Sequence, residues 1–143
     1  MAAQSDSSVA LSHHTISHTA ARKVADAALQ VAAQHGWNIS VAVVDRAGEL
    51  VTLDRADHAI GISPAVAQGK ARTAALLQAP SKEFETFINS GKPSFLATPG
   101  VTPLEGGVPI WLHGEVIGAV GISGAHGEND SLVAIEAALA LGE

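Results

Sequence analysis

The stretch GGVPIWLHGEVIGAVGISG, residues 106–124, decides the fold of this chain. Two apolar runs meet at His113-Gly114, and the second run is dense in glycine. A two-residue turn between apolar runs predicts a β-hairpin, with strands at residues 108–112 and 115–123. Because glycine has no side chain to pack, its density here predicts that another backbone, a tight turn or a ligand approaches the hairpin closely.

Outside this hairpin, the apolar periodicity predicts four helices and a second hairpin. In chain order these are a helix at residues 15–35, strands at 39–44 and 50–54, a helix capped by Ser63 with Pro64 in its first turn, a short helix capped by Ser81, and a last helix at 128–141. Residues 92–105 contain three prolines and predict an irregular loop with a short extended piece. Strands joined by tight turns are antiparallel, so the pattern indicates an α+β fold.

The composition limits the classes of function. Of the 143 residues, 47% are apolar and only 15% are charged, which indicates more apolar surface than one small monomer can bury and predicts a homo-oligomer. A net charge of −6 with eight Lys and Arg residues argues against a nucleic-acid partner. The absence of cysteine excludes disulfides, thiolate metal sites and cysteine nucleophiles.

The amino terminus is small, polar and without periodicity. It predicts a flexible leader at residues 1–12, followed by a single domain at residues 13–143. It lacks the cationic start and apolar run of a signal peptide, and no later run is long enough to span a bilayer. We therefore expect no membrane partner and a cytoplasmic location.

Four motifs in order carry a resemblance to a known family: VAVVDRAGELVTLDRADHA (41–59), AQGKARTAA (67–75), GGVPI (106–110) and GEVIGAVGISGA (114–125). Together they resemble the GlcG/HbpS-like, or haem-degrading, domain family. The resemblance implies a profilin-like α+β domain with a central antiparallel sheet of about five strands flanked by helices. It also implies dimer-based oligomers and, in some members, haem or a related tetrapyrrole as the ligand.

Two histidines depart from the family's usual pattern. His58 stands where the family commonly has glycine, and His126 follows the GISGA strand end in place of a small polar residue. Both imidazoles lie near predicted strand ends, where loop side chains can be directed at a ligand by a rigid sheet.

The segment Arg55-Ala56-Asp57-His58 is the first candidate site. Arg55 can bind a carboxylate with its planar guanidinium, and His58 or Asp57 can transfer protons near neutral pH. The alternative is that Arg55 and Asp57 pair with each other or with a neighbouring subunit.

Ser123 and Gly124 form the second candidate. With the amides that open the last helix, they can hold a small anion, although Glu128 and Asp130 can fill that position themselves. The glycine spacing lacks the G-x-G-x-x-G order of nucleotide-binding loops, so nucleotide binding is not expected.

His18 and Arg22 are the cofactor candidates. The resemblance implies that a first-helix histidine can be an axial haem ligand, with Arg22 one turn later meeting a propionate. His14 and His18 have the spacing of two metal ligands, but no third ligand follows, so no metal site is predicted.

Lys70 and Glu105 are the remaining candidates. On a tightly packed helix Lys70 can be a desolvated base or ligand-binding group, or it can pair with a carboxylate. Glu105, beside Gly106-Gly107, can act as a base in a pocket or be solvated. Two functions stay open: a protein that binds haem or another small ligand, and a cofactor-independent lyase, isomerase or tautomerase that uses His58, Asp57 or Glu105 on a small carboxylated or aromatic compound.

Overall fold

The computed structural model describes residues 8–142, so most of the predicted leader lies outside the described residues. The elements in chain order are α1 (His18–Gln34), β1 (Ser40–Asp45), β2 (Leu50–Arg55), α2 (Ser63–Leu77), α3 (Lys82–Asn89), a 3₁₀ helix (Pro93–Ala97), β3 (Gly107–Leu112), β4 (Glu115–Ser123) and α4 (Gly127–Ala138). The predicted α+β class, the order of the helices and the two hairpins are confirmed.

The sheet is antiparallel throughout, with the order β2-β1-β4-β3. It has four strands within the described residues, and the expectation of about five is therefore wrong. The proline-rich segment after α3 supplies a 3₁₀ helix at Pro93–Ala97 in place of an extended piece. Proline has no N–H to donate to a sheet, and its fixed φ suits a tight turn. The profilin-like description stays a prediction.

Helix α2 packs unusually close to one face of the sheet. A Cβ built on Gly121 would lie 2.1 Å from the carbonyl oxygen of Ala67, and one on Gly107 would lie 2.1 Å from that of Lys70. The interface between α2 and the sheet consists of small side chains: Ala42, Val44, Ala67, Ala71, Ala74, Ala75 and Ala119. The close approach that the glycine-dense hairpin predicts is therefore made by the protein's own helix.

Helices α1 and α4 cover the opposite face. Branched side chains fill this larger part of the core, including Val24, Val41, Val43, Ile110, Val120, Ile122 and Val133. Strands β1 and β4 are buried on both faces, and β2 and β3 form the two edges.

Two predicted helix caps have different roles. Ser63 is the first residue of α2, after the cap position Ile62; its hydroxyl donates to the Ile60 carbonyl oxygen at 2.6 Å and lies 2.8 Å from the hydroxyl of Ser40 on β1. Ser81 precedes α3, but its hydroxyl donates to the Leu104 carbonyl oxygen at 2.7 Å and accepts from the N–H of Gly107 at 2.9 Å. Both hydroxyls bond to distant segments, which sequence-local capping rules do not consider.

The segment before α1 is attached to β4. The N–H of Ile16 donates to the Ile117 carbonyl oxygen at 2.9 Å, and the N–H of His14 donates to the Glu115 carboxylate. The bond from His14 holds the pKa of Glu115 below its ordinary value of 4.5. Helix α1 thus begins at His18 with Ser17 as its cap, three residues later than the periodicity predicts.

No helix among residues 8–142 combines the length and the apolar character needed to cross a membrane.

Gly121→Ala tests the close approach of α2. The added methyl group would overlap the Ala67 carbonyl oxygen, and backbone cannot move aside as a flexible side chain can. We expect a loss of about 3 kcal/mol in unfolding free energy and a fall of about 10 °C in Tm. The matched control is Gly61→Ala, where a Cβ meets nothing within 4 Å. An unchanged Tm for Gly121→Ala in thermal denaturation would contradict this packing.

Candidate functional site

Two imidazoles from distant parts of the chain line one cleft at the end of the sheet where β1 begins and β4 ends. His58, from the loop after β2, and His126, from the turn before α4, line it together with Trp37, Gly124 and Asn129. The cleft has a volume of about 350 Å³. The predicted candidates His58 and Gly124 are thus brought together with a histidine that the sequence marks as unusual.

The loop that carries His58 is held at both ends. The N–H of Ala56 donates to the Ile39 carbonyl oxygen at 2.9 Å. At the other end Ser63 donates to Ile60, and its hydroxyl lies 2.8 Å from that of Ser40 on β1. His58 itself is exposed, and it lines the cleft from this anchored loop.

His126 has a left-handed backbone, with φ 72° and ψ 136°. This conformation disfavours any residue with a Cβ, and such strain often accompanies functional sites. The surrounding peptide groups are well bonded. The Ala125 carbonyl oxygen accepts from the Asn129 amide at 2.9 Å, and the His126 carbonyl oxygen accepts from the N–H of Asn129 at 2.8 Å.

Gly124 and Trp37 line the other side of the cleft. A Cβ on Gly124, whose φ is +126°, would lie 2.4 Å from the Asn38 carbonyl oxygen. Only glycine at this position lets the backbone at Asn38, which follows α1, lie so close to the end of β4. The Trp37 ring stacks on His35, with centroids 4.2 Å apart and planes 11° apart.

The chemistry of this cleft favours binding of an aromatic or metal-containing ligand. Imidazole is a common ligand for transition metals and haem iron, and an indole ring offers a flat apolar surface. Helix α4 begins at Gly127, and N–H groups at a helix start attract anionic substituents, although Glu128 and Asp130 lie in the same turn. Residues 8–142, those of the cleft included, contain no group of three or more His, Cys, Asp or Glu side chains that could hold a metal ion.

Lys70 lies beneath the turn before α4 and not in the cleft. Its Nζ is 3.0 Å from Asp130 Oδ2 and donates to the Ile122 carbonyl oxygen at 2.9 Å. Of the two alternatives for this lysine, the structure shows the pairing with a carboxylate.

Glu105 lines a different cleft. Its carboxylate accepts a hydrogen bond from Ser131 on α4, and it is 8% exposed. The cleft has a volume of about 340 Å³ and is also lined by Lys82, Glu128, Leu132, Ile135 and Glu136. Glu105 and His58 therefore belong to separate clefts, both of which include residues from the first turns of α4.

Three other candidates lie around the His58 loop. Arg55 ends β2 and is exposed, opposite Ser40 in the sheet, and Asp57 is exposed in the loop. Across residues 8–142, the ion pairs include none between Arg55 and Asp57. Ser123 ends β4 and is buried beside the cleft.

The two cofactor candidates lie on α1. His18 is exposed in the first turn. The Arg22 guanidinium is 2.7 Å from both Asp26 and Asp54, and these carboxylates raise its pKa above its ordinary value. It also donates to the Thr52 hydroxyl at 2.7 Å. Arg22 therefore already has two carboxylate partners.

Sequence reasoning did not identify Trp37 and Asn129 as site residues. They come together through the antiparallel pairing of the first and last strands, which puts the start of β1 beside the end of β4 and has no local signal in the sequence. Ser40 pairs with Ser123, so residues just before one and just after the other lie side by side.

A third cleft is almost entirely apolar. It lies beside the edge strand β3, has a volume of about 270 Å³ and is lined by Val108, Pro109, Trp111, Ile135 and Leu139, among others. Trp111 is 47% exposed and Leu139 is 60% exposed.

Comparisons with known proteins agree with the resemblance. A family model described as "Haem degrading protein HbpS-like" matches residues 16–139. Protein GlcG of Escherichia coli K12 is 40% identical over 108 residues, which cover 76% of this chain and 81% of that protein. The crystal structure of a double mutant of Streptomyces reticuli HbpS has a TM-score of 0.87 at 32% identity, covering 100% of this chain and 97% of that one. A PduOC–haem complex has a TM-score of 0.79 at 27% identity, covering 88% of this chain and 94% of that one.

His126→Gly tests whether the turn before α4 is strained by its histidine. Glycine adopts a left-handed φ without steric cost, so we expect unfolding free energy to rise by about 1 kcal/mol and Tm by about 3 °C. Differential scanning calorimetry measures both quantities. His113→Gly, at a second left-handed position with φ 50°, serves as a comparison in the hairpin turn. A fall in Tm for His126→Gly would mean that the imidazole stabilises the free protein.

Proposed function

The chain belongs to the HbpS-like family, and from this membership we propose that it is a small-ligand-binding protein that binds haem or a related tetrapyrrole in the cleft between His58 and His126. The observation that carries the proposal is the convergence of two imidazoles on one cleft beside an indole ring. In the comparisons, PduOC is a structural neighbour that was crystallised with haem.

The residues of the cleft fit the chemical demands of haem. His58 and His126 can supply the axial imidazole, and Trp37 and Ile60 offer apolar surface to the macrocycle. The second N–H of the Asn129 side-chain amide and the N–H groups of Gly127 and Glu128 can bind propionates. When bound, haem supplies a redox-active iron, while the protein's own contribution is to bind, orient and shield it.

His18 is the alternative axial ligand that the family resemblance implies. Arg22, its proposed partner for a propionate, is bonded to Asp26 and Asp54, so a haem at α1 would have to compete with these carboxylates. This competition favours the cleft over α1. Both positions are included in the experiment because His18 itself is exposed and accessible.

The binding of haem is measured by titrating the purified protein and following the Soret band. We expect saturable binding that weakens about tenfold or more in His58→Ala or His126→Gly, because an axial ligand is lost. His13→Ala is the matched control, since His13 is exposed in the segment before α1. A loss of binding only in His18→Ala would move the site to α1, and an absence of saturable binding by the wild-type chain would contradict haem as the ligand.

We also propose that the chain forms a dimer-based homo-oligomer through the apolar cleft beside β3. The cleft joins the edge strand β3, which carries Trp111, to exposed apolar side chains at the end of α4, Ile135 and Leu139. Contiguous exposed apolar surface of this kind is commonly covered by association, and an edge strand adds unpaired backbone groups.

Light scattering tests the oligomer. We expect a mass at least twice the 14.5 kDa of one chain, and a shift to the monomer mass in Trp111→Glu. Leu50→Glu introduces the same charge at a 42% exposed position on the opposite edge strand, β2, and is expected to leave the mass unchanged. A wild-type monomer at micromolar concentration contradicts the proposal.

A further inference from the structure

A buried ion pair lies directly beneath the turn that carries His126. Lys70 on α2 and Asp130 on α4 are 3.0 Å apart, and their side chains are 4% and 3% exposed. The Lys70 Nζ also donates to the Ile122 carbonyl oxygen near the end of β4. The pair therefore connects α2, β4 and α4 at one point.

Asp130 has a second partner in the turn itself. Its Oδ1 accepts the N–H of Ala125 at 2.9 Å, while its Oδ2 faces Lys70. Its own N–H donates to the His126 carbonyl oxygen at 3.1 Å. Asp130 thus bonds to the N–H of Ala125 and to the carbonyl oxygen of His126, and the carboxylate that accepts the first of these bonds is the one that Lys70 contacts.

The fold leaves space for this pair at Gly106. A Cβ on Gly106, whose φ is +126°, would lie 2.9 Å from Lys70 Nζ, from the Asp130 Cβ and from the Ile122 carbonyl oxygen. The glycine also accepts the N–H of Ile122 at 2.9 Å. Any side chain at this position would displace the ion pair.

We infer that Lys70 and Asp130 are positioning residues for His126. A buried ion pair adds little net stability compared with apolar side chains of the same size. What it adds, and apolar side chains do not, is a defined orientation of the two charged groups. Here it orients the carboxylate that binds Ala125 and thereby holds His126 in a conformation that the backbone otherwise disfavours. This inference rests on the proposed function, because it assigns to the pair the presentation of His126 to the ligand.

Asp130→Asn tests the ordering of the turn without any ligand. The side-chain amide keeps an oxygen that can accept from the Ala125 N–H, but it lacks the negative charge that Lys70 binds. The contact with Lys70 is therefore weakened, and the group that accepts from Ala125 is held less firmly. We expect hydrogen exchange at the Ala125 N–H to accelerate about tenfold more than exchange in β1 at Val41 and Val43, which reports the global loss of stability from breaking a buried ion pair. Glu136→Gln removes an exposed carboxylate from the same helix and is the matched control.

A double-mutant cycle tests whether the effect acts through His126. We expect Asp130→Asn to weaken haem binding about fivefold in the wild-type background but to have almost no effect in the His126→Gly background. An equal loss in both backgrounds would overturn the positioning role, because a general structural effect does not depend on His126. Unchanged exchange at Ala125, or an equal rise at Ala125 and in β1, would overturn it as well.

The hydrogen-exchange measurement and the haem-binding cycle separate this inference from the proposed function. If His126→Gly leaves haem affinity unchanged, His126 is not a ligand and the presentation of its imidazole to haem by the pair is overturned, whereas binding through His58 remains testable. If the exchange at Ala125 does not respond to Asp130→Asn, the positioning role is overturned even where haem binding through His126 is confirmed.

Discussion

The close approach of α2 to the sheet is the constraint on which the rest of this structure depends. The carbonyl groups of Ala67 and Lys70 lie where a Cβ of Gly121 or Gly107 would be, so the helix packs against backbone and not against side chains. An interface built from alanines and glycines leaves little free volume between the helix and the sheet. Because α2 is so near, the long side chain of Lys70 passes into the interior and reaches the far end of β4.

The position of Lys70 links the core to the candidate site. Its ammonium group meets Asp130, and Asp130 in turn bonds to Ala125 at the start of the turn with His126. The strained histidine is therefore supported by a chain of contacts that begins at the α2 interface. Strained residues persist only where surrounding structure holds them, and here the holding groups are buried and charged.

The candidate site shows where sequence reasoning succeeded and where it could not. His58 and Gly124 were identified from their chemistry and their places at strand ends, and they do line one cleft. Lys70 was identified as a lysine on a tightly packed helix and Glu105 for its place beside Gly106-Gly107, yet Glu105 lines another cleft and Lys70 is buried in an ion pair. Sequence shows that a residue follows a strand, but the direction of its side chain depends on how neighbouring elements pack.

The sequence by itself determined the α+β class, the two hairpins, the order of the helices and the family, because apolar periodicity, tight turns and motif order are local properties of the chain. Only the tertiary structure decided that the sheet has four strands, that Ser63 and Ser81 bond to distant segments, and that His126 lies beside His58. The physical reason is distance along the chain. Helices α2 and α3 and the whole second hairpin separate His58 from His126 along the chain, and the two residues share a cleft only because β1 pairs with β4.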